Sequence, residues 1–140
     1  MTSTDPTADT VAAAIRRLRT GRGWTTRELA DRLTEAGRPF SHAGITRTEK
    51  GTRQVTVGDL AAFAAVFDVS PVALLLPLGE DGTDTVEITG GGTLDADRAW
   101  VWALGEGPLR GRLDNRAELW RYQTESLPPN LRHMPKKGEE

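Results

Sequence analysis

The stretch TTRELADRLTEAGRPFSHAGITRTEKG, from Thr25 to Gly51, decides the fold of this 140-residue chain. Thr25 and Glu28 have the spacing of a capping box, in which each side chain satisfies a free backbone N–H at the start of a helix. Gly37 ends that helix, because glycine readily adopts the left-handed backbone of a helix terminus. A second helix is predicted from the N-cap Ser41 to Gly51. The stretch therefore predicts two short helices joined by a turn.

The flanking segments supply three more predicted helices. The first should begin near Asp9 or Thr10, because apolar residues recur there at helical spacing: Val11, Ala14, Ile15 and Leu18. A second capping box, Thr56 with Asp59, opens a fourth helix, and a serine-proline pair opens a fifth. Five short helices without a strand signal predict a compact, mainly α bundle over residues 9–77.

Composition divides the rest of the chain. Residues 1–8 are polar and predicted to be disordered, and residues 78–84 read as an acidic, glycine-containing linker. Residues 85–127 are expected to form a small α(+β) extension. Residues 128–140 are rich in proline and charge, and we expect them to form a flexible tail.

Within the extension, Thr85–Thr89 alternates like a short strand, and the triple glycine at 90–92 is predicted to be a turn. Asp95 is expected to cap a helix through Leu104, although a strand fits the same residues. Asp114 or Asn115 should open a last helix. One face of that helix would carry Ala117, Trp120 and Thr124.

The totals exclude several classes of function. The chain has no cysteine, so it has no disulfide, thiolate zinc site or cysteine nucleophile. No apolar run approaches the roughly 20 residues that span a bilayer, and the first residues lack the features of a signal peptide. With two histidines and no nucleophile–base pair or metal-ligand spacing, we expect no catalytic residue, metal or cofactor. The expectation is a soluble, cytoplasmic protein that is not an enzyme and does not bind a membrane.

The net charge of −2 hides an asymmetry. Residues 10–77 carry ten basic and six acidic side chains, a balance of +4 that leaves −6 for the rest of the chain. A basic half on an acidic body is typical of a DNA-binding head, although ordinary variation of a solvated surface would give the same balance.

The motifs over residues 10–77 resemble the phage-repressor-like helix-turn-helix family, which includes lambda repressor, Cro and XRE proteins. The resemblance rests on T-x-x-E-L-A-x-x-L from Thr25, on S-x-x-x-I-T-R-x-E-K-G from Ser41, and on the Val-Ser-Pro helix that follows. It implies a transcriptional regulator, most simply a repressor, that inserts residues 41–50 in the major groove of double-stranded DNA. It also implies a homodimer on a palindromic operator, because such regulators read paired half-sites about one helical turn apart.

The resemblance also implies individual roles. The residues that would face the bases are His42, Ala43, Thr46 and Arg47. Arg47 is the strongest candidate, because a guanidinium can bond guanine O6 and N7 together. The residues that would contact phosphates are Thr25, Thr26, Arg27, Lys50 and Arg53. Arg19 and Glu49 match a structural ion pair of some family members. Each of these side chains could instead be an ordinary surface residue.

Two departures from the family matter. The segment TEAGRPFS is longer than the usual turn of about 3–4 residues, so the second helix of the motif could be displaced. Ala43 and Gly44 replace more polar contact positions, which leaves fewer side chains to read bases. Gly44 also costs its helix roughly 1 kcal/mol relative to alanine, and close packing against another helix or a ligand should compensate.

The extension at 85–127 allows a second function. It holds three of the four tryptophans, Trp100, Trp102 and Trp120, and aromatic residues are enriched where proteins bind each other. The alternative to a DNA-binding regulator is therefore an antitoxin or adaptor that binds a partner protein through this part. A small core around the same tryptophans is the structural alternative.

Overall fold

The computed structural model describes residues 4–79 and 84–133. The chain divides into two compact units, which we call the head unit and the tail unit. The head unit comprises Met1–Leu78 and Glu87–Gly92, and the tail unit comprises Gly79–Val86 and Thr93–Glu140. The fold is mainly helical, with one two-stranded antiparallel sheet among the described residues, which confirms the predicted fold class.

Within residues 4–79 the head unit forms the predicted five-helix bundle: α1 (Pro6–Gly21), α2 (Thr26–Glu35), α3 (His42–Lys50), α4 (Val57–Phe67) and α5 (Val72–Leu75). α1 packs against α3 and α5, and α2 packs against α3 and α4. The fully buried apolar side chains of this core are Ile15, Leu29, Leu33, Ile45, Phe63, Phe67 and Leu74. Burying each one stabilises the fold by about 1.5–3 kcal/mol.

Both predicted capping boxes are present. Thr25 Oγ1 accepts a hydrogen bond from the Glu28 N–H at 3.0 Å, and the Glu28 carboxylate accepts one from the Thr25 N–H at 3.4 Å. At α4 the pair is Thr56 and Asp59, and both N···O distances are 3.1 Å. Such caps stabilise a helix by about 0.5–2 kcal/mol, so the starts of α2 and α4 are fixed by neighbouring side chains.

α3 begins and ends as predicted. Ser41 Oγ accepts from the Gly44 N–H at 2.9 Å, and Gly51 ends the helix with a left-handed φ of +77°. Gly44 is buried, and a Cβ at this position would lie 3.2 Å from Ser41 Oγ and 3.6 Å from the ring of Phe40. Close packing around this interior glycine is therefore present, but it comes from the turn before α3 and not from another helix as expected.

The turn from residue 36 to residue 41 is attached to α4 by Arg38. The Arg38 Nε–H donates to Asp59 Oδ1 at 2.9 Å, and its Nη2 donates to Thr56 Oγ1 at 3.1 Å. Burial alone would raise the pKa of Asp59. Hydrogen bonds from the Thr56 backbone and from Arg38, with the nearby charge of Arg53, nevertheless leave that pKa below its usual value.

Phe40 completes the attachment. Its ring meets Phe63 edge to face, with the centroids 5.3 Å apart. The guanidinium carbon of Arg53 lies 4.0 Å from the Phe40 centroid, and Arg53 Nη1 lies 3.8 Å from Asp59 Oδ2. The lengthened turn is therefore packed on the core and not a free loop.

The prediction of disorder through residue 8, with a helix starting near Asp9, is wrong for residues 6–8. α1 begins at Pro6, where the missing N–H of proline costs the helix no hydrogen bond. Asp5 caps the helix, because its Oδ1 accepts from the Ala8 N–H at 3.0 Å. Residues 1–3 lie outside the described part of the chain.

The start of α1 also binds a distant segment of the head unit. The Thr7 N–H donates to Thr89 Oγ1 at 3.1 Å, and the Thr89 N–H donates to Thr7 Oγ1 at 2.9 Å. Thr89 Oγ1 itself donates to Asp5 Oδ1 at 2.7 Å. These bonds explain why Glu87–Gly92 groups with the head unit, although the composition assigns it to the extension.

The described residues after position 84 form β1 (Thr85–Ile88), β2 (Gly92–Asp95), α6 (Ala96–Ala103), α7 (Arg116–Ser126) and a 3-10 turn (Pro129–Leu131). The predicted strand and the helix after Asp95 are confirmed, but the Asp95 side chain makes no capping hydrogen bond. β2 is not predicted from sequence, because the turn closes early. The Gly91 N–H donates to the Ile88 carbonyl at 2.8 Å, and Gly92 already belongs to the strand.

α7 begins at the predicted cap, since Asn115 Oδ1 accepts from the Glu118 N–H at 3.1 Å. The face predicted from sequence is the exposed one: Ala117, Trp120 and Thr124. The buried face consists of Leu119, Tyr122 and Gln123. Trp120 is therefore not part of a core, whereas Trp100 and Trp102 are half-buried.

The prediction of a loose tail from residue 128 is wrong for residues 128–133. The Gln123 side chain donates to the His133 carbonyl at 3.0 Å and accepts from the His133 N–H at 2.7 Å. An amide side chain can make both bonds at once because it carries a donor and an acceptor. Residues 134–140, and residues 80–83 of the predicted linker, lie outside the described part of the chain.

We predict that Asp59 makes the stability of the protein sensitive to acid. Because the folded-state pKa of Asp59 is lowered, its contribution is complete above the unfolded pKa of about 3.9 and is lost as the pH falls through the folded value. Asp59→Asn should lower the free energy of unfolding by about 1–3 kcal/mol at neutral pH. It should also flatten the decline in stability as the pH falls below about 4. Denaturant titrations across this range measure both effects.

The matched control is Asp31→Asn, which removes an exposed carboxylate on α2. It should leave the decline in acid unchanged. If stability fell equally steeply in acid for the Asp59 variant and the wild type, Asp59 would not be the source of the acid sensitivity.

Candidate nucleic-acid interface

α3 has one buried face and one exposed face. Ile45 and Thr48 are fully buried, and the Thr48 hydroxyl donates to the Gly44 carbonyl at 2.8 Å. The opposite face carries exposed His42, Ala43 and Arg47, with half-exposed Thr46 beside them. The structure thus brings the four residues suggested for base contacts onto the open side of one helix.

Arg47 combines a fixed backbone with an open side chain. Its carbonyl accepts from the Thr52 N–H at 3.0 Å and from the Thr52 hydroxyl at 3.3 Å. The side chain is exposed and has no ion pair within residues 4–79 and 84–133. The guanidinium is therefore free to bond an acceptor outside the protein, such as a base edge.

The other candidates on this face differ in what they offer. The Thr46 hydroxyl donates to the His42 carbonyl at 3.2 Å, so it keeps its acceptor capacity but uses its proton inside the helix. His42 is the first residue of α3 and is exposed. Ala43 offers only a methyl group, which can contact a thymine methyl but cannot hydrogen-bond.

The start of α2 carries three candidates for phosphate contacts. Thr25 uses its N–H and its hydroxyl oxygen in the capping box, which leaves the hydroxyl proton to donate. Thr26 is half-exposed and Arg27 is exposed. Since the start of a helix carries a partial positive charge, these residues suit a phosphate.

Lys50 and Arg53, the remaining phosphate candidates, have different surroundings. Lys50 is exposed at the end of α3. Arg53 is only 36% exposed and packs on Phe40 near Asp59. These contacts give Arg53 a structural role in the head unit that the sequence does not predict. Its phosphate contact stays a prediction.

Arg19 and Glu49 form a bidentate ion pair. Arg19 Nε donates to Glu49 Oε2 at 2.6 Å, and Arg19 Nη2 donates to Glu49 Oε1 at 2.8 Å. Arg19 Nη1 also donates to the Trp24 carbonyl at 2.8 Å. The hydrogen bond to Glu49 raises the pKa of Arg19. This pair ties α1 to the last turn of α3.

The arginines of the head unit thus fall into two groups. Arg19, Arg38 and Arg53 neutralise Glu49 or Asp59. Among the described residues of the head unit, the other exposed arginines and Lys50 have no ion pair: Arg16, Arg17, Arg22, Arg27, Arg32, Arg47 and Lys50. Arg22 and Arg32 instead lie over the ring of Trp24. α3 therefore presents the uncompensated charges of Arg47 and Lys50. On α2, by contrast, the exposed arginines lie among three exposed carboxylates: Glu28, Asp31 and Glu35.

Residues 10–76 match a protein family described as a helix-turn-helix domain. The match contains α2, α3 and every candidate side chain described above. This part of the chain is therefore a helix-turn-helix domain, consistent with the phage-repressor-like class that its motifs resemble. The match does not extend into the C-terminal part of the chain.

No curated protein and no solved structure matches the chain significantly. In the part of the chain that the structure describes, no helix is both long and apolar enough to cross a membrane.

Arg38 and Phe40 are the residues of this region that sequence reasoning misses. Neither lies in a helix, and their partners Asp59 and Phe63 are more than twenty residues away in sequence. The one available signal is the unusual length of the turn, which suggests that its residues pack on something. It does not identify the partner.

We predict that Glu49→Gln will lower the free energy of unfolding by about 2–4 kcal/mol, because it leaves the largely buried Arg19 guanidinium opposite a neutral amide. A double-mutant cycle with Arg19→Met should give a coupling energy of about 1–3 kcal/mol. Denaturant unfolding of the four proteins measures it. Glu35→Gln, at an exposed position of α2, is the control. A coupling energy near zero would show that the pair contributes nothing.

Proposed function

We propose that the protein is a sequence-specific regulator of transcription, most simply a repressor, that binds double-stranded DNA with α3 in the major groove. The observation that carries this proposal is the exposed, unpaired guanidinium of Arg47 on a helix whose other face is fully buried. A helix-turn-helix domain suggests such a regulator. We propose that it acts in the cytoplasm.

The size and chemistry of α3 support major-groove binding. An α-helix with its side chains is about 10–12 Å across, which fits a major groove about 12 Å wide. Arg47 would bond guanine, and His42 or Thr46 would offer further contacts at base edges. Thr26, Arg27 and Lys50 would hold the phosphates on either side.

The surroundings of the two histidines favour a binding function over catalysis. His42 lies exposed on α3, and the backbone of His133 is occupied by Gln123. Neither histidine has a hydrogen-bonded carboxylate among the described residues, whereas a catalytic base is commonly oriented by such a group. We therefore propose that the protein is not an enzyme.

The tail unit supports an association between copies. Trp120 is 49% exposed and Leu113 is 45% exposed. Tryptophan is enriched in the hot spots of protein interfaces, and a dimer would let two heads read the half-sites of a palindromic operator. The same residues suit the alternative, an antitoxin or adaptor with a different protein as partner.

We predict that Arg47→Ala will weaken binding to the preferred operator by about 1–3 kcal/mol and relax the preference at one base pair. Selection from a random duplex pool identifies that operator, and gel-shift titrations then measure both effects. Lys50→Ala should weaken binding to all duplexes alike and reduce the salt dependence by about one unit of slope, as expected for a lost phosphate contact.

Glu35→Gln, at an exposed position on α2, should leave the base preference unchanged. Wild-type affinity and preference in the Arg47 variant would exclude the proposed orientation of α3. An unenriched duplex pool would count against sequence-specific binding as a whole.

We further predict a homodimer at micromolar concentration. Sedimentation should give twice the mass of one chain, and Trp120→Ala should shift the distribution toward the monomer because it removes the largest exposed apolar side chain of the tail unit. Val57→Ala, which truncates an exposed apolar residue of the head unit, is the control. A strict monomer with and without operator DNA would exclude the dimer.

A further inference from the structure

The turn between α2 and α3 makes specific contacts that a free connection would not need. α2 ends at Glu35 and α3 begins at His42. The Arg38 N–H donates to the Leu33 carbonyl at 2.8 Å, which turns the chain back over the end of α2. The Arg38 side chain then extends to α4.

Arg38 lies along the first turn of α4. It bonds Asp59 through Nε and Thr56 through Nη2, and it occupies the space beside Gly58. A Cβ on Gly58 would lie 3.0–3.1 Å from three atoms of the guanidinium. A planar group with several donors in fixed directions can bridge two acceptors in this way.

The bridge is close in sequence to the start of α3. Phe40, two residues after Arg38, packs on Phe63 and borders Gly44. The next residue, Ser41, caps α3. A change at Arg38 is therefore transmitted through a short, packed segment to the first turn of the helix.

We propose that Arg38 is a positioning residue for DNA reading, because its bridge to α4 sets the orientation of α3 and so selects the base pair that Arg47 contacts. This inference rests on the proposed function. Arg38 itself would contact neither base nor phosphate. A bidentate contact tolerates an error of only about 0.5 Å, so a small tilt of α3 would lose it.

The test compares the full chain carrying Arg38→Met with Arg17→Met, which removes an equal charge from an exposed position on α1. The readout is the ratio of affinities for the selected operator and for a duplex altered at the base pair whose preference Arg47→Ala relaxes. Arg38→Met should reduce this ratio about tenfold without changing the salt slope, and Arg17→Met should leave the ratio unchanged.

Two results on DNA would overturn the proposal. One is an unchanged ratio in an Arg38 variant whose circular dichroism shows it to be folded, since Arg38 would then only stabilise the fold. The other is a salt slope that falls by about one, since Arg38 would then be a phosphate contact. If Arg38→Met does not fold, Arg38→Lys replaces it with the same expectations, because lysine keeps the charge but not the fixed fork.

A second measurement needs no DNA and separates this inference from the proposed function. The Gly44 N–H donates to Ser41 Oγ, with an N···O distance of 2.9 Å, and the Ile45 N–H donates to the Ser41 carbonyl, with an N···O distance of 3.1 Å. These two amides report on the first turn of α3. Arg38→Met should speed their hydrogen exchange about tenfold relative to Arg17→Met, because the turn is released. Equal exchange rates would overturn the positioning of α3 by Arg38. A wild-type chain that selects no duplex would instead overturn the proposed function.

Discussion

A buried carboxylate, that of Asp59, joins three separate segments of the head unit. A carboxylate that is 1% exposed destabilises a fold unless its charge is compensated and its oxygens are bonded. Here the Thr56 N–H and Arg38 supply the bonds, and Arg53 adds a second positive charge 3.8 Å away. The start of α4, the turn before α3 and the loop after α3 must all be in place for Asp59 to be accommodated.

A second ion pair acts at the other end of α3. Glu49, in the last turn of α3, bonds Arg19 of α1 through both carboxylate oxygens. Phe40 and Ser41 hold the first turn of α3. A helix held at both ends fixes the backbone that carries Arg47, so only the exposed side chain loses conformational freedom on binding. Such preorganisation favours affinity and specificity. The paired arginines thus support the fold, and Arg47 on α3 remains available to an acceptor outside the protein.

Local signals in the sequence predict local structure well. The capping boxes at Thr25 and Thr56 and the cap at Ser41 are predictable because each depends on residues three positions apart. Contacts between residues that are far apart in the sequence follow no fixed spacing. The bridge from Arg38 to Asp59 and the bonds between Thr7 and Thr89 are therefore found only in the structure. Thirty residues separate Arg19 from Glu49, so only the resemblance to the family suggests their ion pair.

The packing of the turn between α2 and α3 also explains in part why few side chains of α3 are suited to base contacts. Sequence comparison with the family suggests that Ala43 and Gly44 both replace polar contact residues. Gly44, however, is buried and borders Phe40 and Ser41, so the packing of the lengthened turn accounts for its small size without any reference to DNA. Of these two positions, only Ala43 faces outward. Because the small residue Ala43 stands where the family has a polar contact residue, discrimination between DNA sequences depends more strongly on the position of Arg47. It therefore depends on the contacts that orient α3.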